Sequence, residues 1–237
     1  MHQNGTGYRA KTRFAKFYNL PELMSMFKEV ADIQTAETLN LPVPKANFKT
    51  IAVKPSEIQR EMVADLGKRA DAIRKKEVDS KKDNMLKITN EGRKLALDQR
   101  LLNDMLGDFE GSKVNVCANN VYEIWEKTAE KKSTQLVFCD LSTPNNDGKF
   151  NVYEDLKEKL INKGIPENEI SFIHEANTET RKKELFAKVR KGDVRVLIGS
   201  TAKMGAGTNV QNKIIALHHL DCPWRPADLT QRNGRRN

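Results

Sequence analysis

"VRVLIGSTAKMGAGTNVQNKIIALHHLDCPWRPADLTQRNGRR", residues 194–236, decides how the chain folds. It opens on an apolar run, turns through a loop with glycines at 199, 205 and 207, and enters a second apolar run. Both runs are short and continuous rather than alternating, the pattern of strands covered on both faces of a parallel sheet. In such a sheet ligands gather beyond the carboxyl ends of the strands. Those ends are Ser200-Thr201 with the glycine loop, and Asp221-Cys222-Pro223-Trp224. Gly205 and Gly207 bracket Ala206, so backbone amides there can approach a phosphate with no Cβ in the way. A lone G-x-G is equally a tight turn without a ligand. The tail weighs against the plain turn, because Gln231, Arg232, Arg235 and Arg236 follow shortly after the second run. An arginine fork matches phosphate oxygens and stays charged when desolvated.

Upstream, from Lys113, helical patterns alternate with short apolar runs. A helix around "NNVYEIWEKTAEKK" leads to a strand, "TQLVFCDL"; "NVYEDLKEKLINKG" leads to "ISFIHE"; "TETRKKELFAKVRKG" leads into residues 194–200. This alternation predicts an open α/β sheet and adds Asp140-Leu141-Ser142 and His174-Glu175 to the strand ends. Residues 56–112 read as a helical pair. Ser56 and Gln59 have capping-box spacing, and Ile58, Met62, Leu66 and Ile73 carry a helix through about Lys76. After the charged break "EVDSKKDN", a second helix is expected over roughly Asn90 to Leu106, with leucines at 95, 97, 101 and 102. Residues 1–55 hold a short amphipathic helix, with Leu23, Met26, Phe27 and Val30 on one side. An extended connector with prolines at 42, 44 and 55 follows.

Composition narrows the function classes. The 237 residues carry 41 Lys and Arg against 32 Asp and Glu, a net charge of +9. Such an excess favours polyanionic partners through counterion release, although lysine-rich solvated helices give the same sum. Three widely separated cysteines exclude a disulfide framework and fit a reducing compartment. No apolar stretch approaches the ~20 residues that cross a bilayer, and "MHQNGTGYRAKTRF" lacks a signal-peptide core. A cytoplasmic protein with no membrane partner is expected. His218 and His219 are adjacent on a strand and point to opposite faces, and H-H-x-x-C is not a zinc spacing, so no metal site is expected.

Residues 134–237 resemble the second half of a superfamily 2 helicase motor of the Swi/Snf-like branch. The family pattern is a strand ending in S-T, then G-x-G-x-N, a strand ending near D, then W-x-P, then Q-R-x-G-R. Here those positions are Ser200, Thr201, Gly205, Gly207, Asn209, Asp221, Trp224, Pro226, Gln231, Arg232, Gly234 and Arg235. "TQLVFCD" resembles the strand that opens this lobe, and "FIHEANTETRKKELFAKV" the segment before the glycine motif. The earlier region resembles linker and helical parts of such proteins on phage and conjugative elements.

The resemblance implies a C-terminal RecA-like lobe, an open and mostly parallel sheet with helices on both faces, over residues 113–237. A helical insertion at 56–112, and a linker with the end of the preceding lobe at 1–55, would precede it. In the family, Ser200 and Thr201 touch the nucleic-acid backbone; Trp224, held in a loop at the cleft edge by Pro223 and Pro226, is split between packing and a functional contact. Gly205, Gly207 and Asn209 shape the inter-lobe cleft, where Gln231, Arg232 and Arg235 face ATP phosphates, with Arg235 the candidate catalytic residue. ATP, Mg²⁺, duplex DNA and an N-terminal RecA-like lobe are the implied cofactors and partners.

Departures limit the claim. No G-x-x-x-x-G-K-[ST] and no acidic D-E-x-H-type box occurs. Q-x-x-G-R-x-x-R is cut one residue short of its final arginine, commonly the finger at the γ-phosphate. Met204 replaces a frequent glycine. Because phosphoryl transfer needs metal, water and cationic clamping together, the chain alone is expected to be inactive as an ATPase, a fragment of a longer translocase. A non-catalytic DNA- or protein-binding module on the same scaffold is the main alternative. An amino-group methyltransferase is a lesser one: "DCPW" approaches its D-P-P-[YW] box, but Cys222 replaces a proline and "STAKM" separates strand from glycines.

Overall fold

The structure, a computed structural model, describes residues 2–3, 8–9, 18–32, 34, 46–144, 148–204 and 210–234. Two short strands, β1 (His2–Gln3) and β2 (Tyr8–Arg9), pair antiparallel. Helix α1 (Leu20–Val30) forms where the spacing places it, yet Leu23, Met26, Phe27 and Val30 are all exposed. Residues 46–55 form neither helix nor strand, and Pro42 and Pro44 lie outside the described residues.

Helix α2 (Glu57–Arg74) begins at Ser56, whose hydroxyl accepts from Gln59 N while the Gln59 amide accepts from Ser56 N. Helix α3 (Met85–Leu97) starts earlier than the leucine periodicity suggests, because the Asn84 side chain caps it by accepting from Lys87 N. It also ends earlier. Asp98 adopts an extended backbone and its carboxylate accepts from Arg100 N, opening a separate 3-10 turn at Gln99–Leu101. The break divides the leucines between two cores. Leu95 and Leu102 join Leu66, Ile88 and Ile73 between α2 and α3. Leu97 and Leu101 reach the core under the sheet.

Helix α4 (Lys113–Lys127), capped by Ser112, leads into strand β3 (Thr134–Phe138). Then come α5 (Val152–Asn162), β4 (Ile170–Phe172), α6 (Glu179–Lys191), β5 (Val196–Gly199), the short α7 (Thr201–Met204), β6 (Ile214–His219) and α8 (Pro226–Asn233). Strands β3 to β6 form a four-stranded sheet in the order β4-β5-β3-β6, with every pairing parallel. Side chains alternate across it. Val137, Val196 and Ile198 meet α4 and α5 through Val121, Tyr153, Leu156 and Leu160. Leu136, Phe138 and Leu197 meet Phe186 and Val189 of α6 and Met204 of α7. A parallel core with helices on both faces is the architecture expected of a RecA-like lobe.

One buried cation ties the layers at the amino ends of the strands. Arg195, just before β5, donates to the carbonyl of Trp125 (2.6 Å) and the hydroxyl of Thr128 (3.0 Å), and stacks over the Trp125 ring at 5.0 Å. It thus covers the carboxyl end of α4, where a cation is favoured by the helix dipole and the orphan carbonyls.

Candidate functional site at the carboxyl ends of the strands

Because β3 lies between β5 and β6, the residues that follow these strands meet although they are far apart in sequence. Asp140, after β3, accepts from Thr201 N (2.7 Å) and from the Thr201 hydroxyl (2.7 Å). Asp221, after β6, accepts from Asp140 N and from Leu141 N (2.8 Å). The two strand-end turns are thereby locked to α7 through carboxylates that accept from backbone amides, a strong charge-assisted arrangement.

Arg232 completes the cluster from α8. Its side chain is wholly buried, at 0% exposure. Nε donates to Thr201 Oγ1 (2.7 Å), Nη1 to the Asp221 carbonyl (2.9 Å), and Nη2 to Asp140 Oδ2 (2.7 Å) and Asp221 Oδ1 (3.0 Å). The guanidinium also lies over the Phe138 ring at 5.2 Å. Burying a cation costs several kcal/mol, offset here by two carboxylates and by donors that nearly all find acceptors. In this arrangement the Arg232 guanidinium is turned inward, toward the two carboxylates.

Histidines stand on either side. His174, after β4, has Nε2 3.5 Å from Ser200 Oγ, while its buried Nδ1 has no hydrogen-bond partner. Burial lowers its pKa, helped by the Lys203 charge. Tyr153 lies edge-on to the His174 ring and donates to the Cys139 carbonyl. On β6, His218 meets the Gln135 side chain (2.9 Å), and burial, with the neighbouring His219, lowers its pKa to about 4. His219 stacks on Phe138 on the opposite face and meets Asn233 of α8. Cys139 is buried, and burial raises its thiol pKa well above the usual range, which leaves it inert.

Trp224 remains 62% exposed in the loop between β6 and α8. Arg93 of α3 lies 4.4 Å from the Trp224 ring centroid and donates to the Cys222 carbonyl, so the helical pair touches this loop directly. Gln231 is exposed on α8, and Ser200 is buried at the root of α7. Gly205, Gly207, Asn209 and Arg235 lie outside the described residues. The strand-end positions of Asp140, His174 and Asp221 are legible in the sequence. Their pairing with Arg232 is not, because sequence does not give the order of strands in a sheet.

Among the described residues, the one group of three close carboxylates is Asp98, Asp108 and Asp155, away from the strand ends. Arg100 and Lys159 already pair with all three and offset most of their charge. These residues therefore do not fit a catalytic Mg²⁺.

A parallel sheet with helices on both faces and a polar cluster at its carboxyl edge defines a RecA-like α/β lobe. The family profile described as "Helicase conserved C-terminal domain" matches residues 112–236, over half of the chain, and the chain belongs to this superfamily 2 helicase family. The match begins at Ser112, the cap of α4. No curated protein matches the chain. Family membership implies use of ATP and Mg²⁺ by the whole motor, and such domains generally bind nucleic acid and pair with an N-terminal RecA-like lobe. No helix among the described residues is long and apolar enough to cross a membrane.

Proposed function

We propose that the chain is the C-terminal motor lobe of an ATP-dependent DNA translocase of the Swi/Snf-like branch, of the kind carried by phage and conjugative elements. Residues 113–237 form the lobe, 56–112 a helical insertion resting on it, and 1–55 the linker from the preceding lobe. The supporting observation is that the Ser200-Thr201 turn and helix α8 share one edge of the sheet and are joined through Asp140, Asp221 and Arg232. A lobe that passes strain between a nucleotide cleft and a DNA track needs such a direct connection.

In this assignment Ser200, Thr201 and Trp224 meet one strand of duplex DNA. Gly205, Gly207 and Asn209 shape the cleft between lobes, and Gln231 and Arg235 face the phosphates, with Arg235 supplying the catalytic positive charge. ATP held between the lobes supplies the phosphoryl group whose transfer to water drives the cycle. The partner lobe holds the metal.

The test is fluorescence anisotropy of the full chain with duplex and single-stranded DNA at two salt concentrations, using Ser200→Ala and Trp224→Ala. Both substitutions leave the Arg232 hydrogen bonds in place. Duplex binding that falls with salt and weakens in each variant while the chain remains folded is expected. A chain that fails to bind duplex at low salt, or variants that bind like the wild type, would overturn the assignment.

A further inference from the structure

We propose that Arg232, with Asp140 and Asp221, is a buried positioning unit that fixes Thr201 relative to helix α8, and that Arg232 touches neither nucleotide nor nucleic acid. The inference rests on the motor assignment for its consequence but on the structure's own hydrogen bonds for its mechanism.

Arg232 is 0% exposed, and one guanidinium reaches three separate elements. It meets Thr201 at the start of α7, Asp140 after β3 and Asp221 after β6. Guanidinium is the suitable group, because its planar fork presents several donors in fixed directions and never loses its charge. Lysine has the charge without the fork. Thr201 is the point where the unit acts. Its hydroxyl donates to Asp140 while accepting from Arg232, and its amide donates to Asp140. Its hydroxyl and its amide are thus both engaged within the cluster. Thr201 sets the orientation of the turn that carries Ser200 and the exposed Lys203.

The same wiring joins two sides of the lobe. Helix α8 carries exposed Gln231 immediately before Arg232, and Asn233 immediately after it meets His219. A displacement of α8 by a ligand at Gln231 pulls the guanidinium, and the guanidinium can stay paired only if α7 and the Asp140 turn follow. Partly satisfied buried networks are costly, so the unit moves as one body or breaks.

The experiment uses the full chain and Arg232→Lys, with Thr201→Val as a second variant that keeps the arginine–carboxylate pairs and hence the fold. Hydrogen exchange monitored by NMR reads the Thr201 amide directly. The expected result is roughly tenfold faster exchange at Thr201 in Arg232→Lys, the size expected when one charge-assisted hydrogen bond is weakened, with β3 unaffected. Unchanged Thr201 exchange in both variants would overturn the proposal. The second readout is duplex affinity against salt. A positioning residue lowers affinity at every salt without altering the slope, whereas loss of a direct phosphate contact reduces the log–log slope by about 0.9. A reduced slope in Arg232→Lys would make it a phosphate ligand and refute the proposal. If the wild-type chain binds no DNA, the motor assignment fails and the exchange measurement still decides whether Arg232 holds Thr201.

Discussion

Replacing Arg100 with methionine should cost the chain about 3 kcal/mol and detach the helical pair from the sheet. Arg100 follows the break between α3 and α4, and its side chain is only 10% exposed. It grips Asp98 through Nε and Nη2 (2.9 and 2.8 Å) and Asp155 of α5 through Nη1 and Nη2 (3.0 Å each). Its guanidinium also lies 4.0 Å from the Phe150 ring centroid. Methionine retains most of the apolar stem but strands Asp98, whose side chain is 2% exposed. Asp155 is spared the full penalty, since Lys159 holds both its oxygens at 2.7 Å. Breaking a buried pair by removing one partner costs about 3–5 kcal/mol, and the remaining lysine places this case at the lower end.

Urea unfolding of the full chain measures the effect as a lower midpoint. The three carboxylates offer oxygens all within 4.8 Å of one another, so the variant should bind calcium more tightly than the wild type. At a tenfold excess over its Kd the ion would restore about 1.4 kcal/mol. A loss under 1 kcal/mol, with no calcium effect, would show that the carboxylates are solvated and that Arg100 does not anchor the pair.

Two further outcomes are expected. His218 has a folded pKa near 4, below its ordinary value, so the unfolded chain binds more protons between about pH 4 and 6.5. Its stabilising contribution is complete above that window and is lost as pH falls through it, by about 2 kcal/mol after allowance for partial exposure. His218→Asn should flatten this acid limb, and an identical limb in the variant would assign it to other groups. A double-mutant cycle of Arg93→Ala and Trp224→Ala should show about 0.5–1 kcal/mol of coupling in urea unfolding, the worth of an exposed cation–π contact. Coupling within error would mean that the helical pair does not engage the loop after β6.

The order of elements, the capped start of α2 and the strand-end positions of Asp140, Ser200, Thr201 and Asp221 were all written locally in the sequence. Each depends on neighbours a few residues away: a serine three before a glutamine, a short apolar run, a turn after it. The leucine period places neither end of helix α3: the Asn84 cap starts it earlier, and the Asp98 carboxylate, capping the next turn, ends it within the period. The inward turn of Arg232 was legible nowhere in the motif that contains it. Its direction is decided by two carboxylates at sequence separations of 11 and 92 residues, which meet only because β3 inserts between β5 and β6. Local chemistry determines which elements form and which residues reach the strand ends. Strand order, a product of the whole core packing at once, decides which of those residues face a ligand and which hold one another.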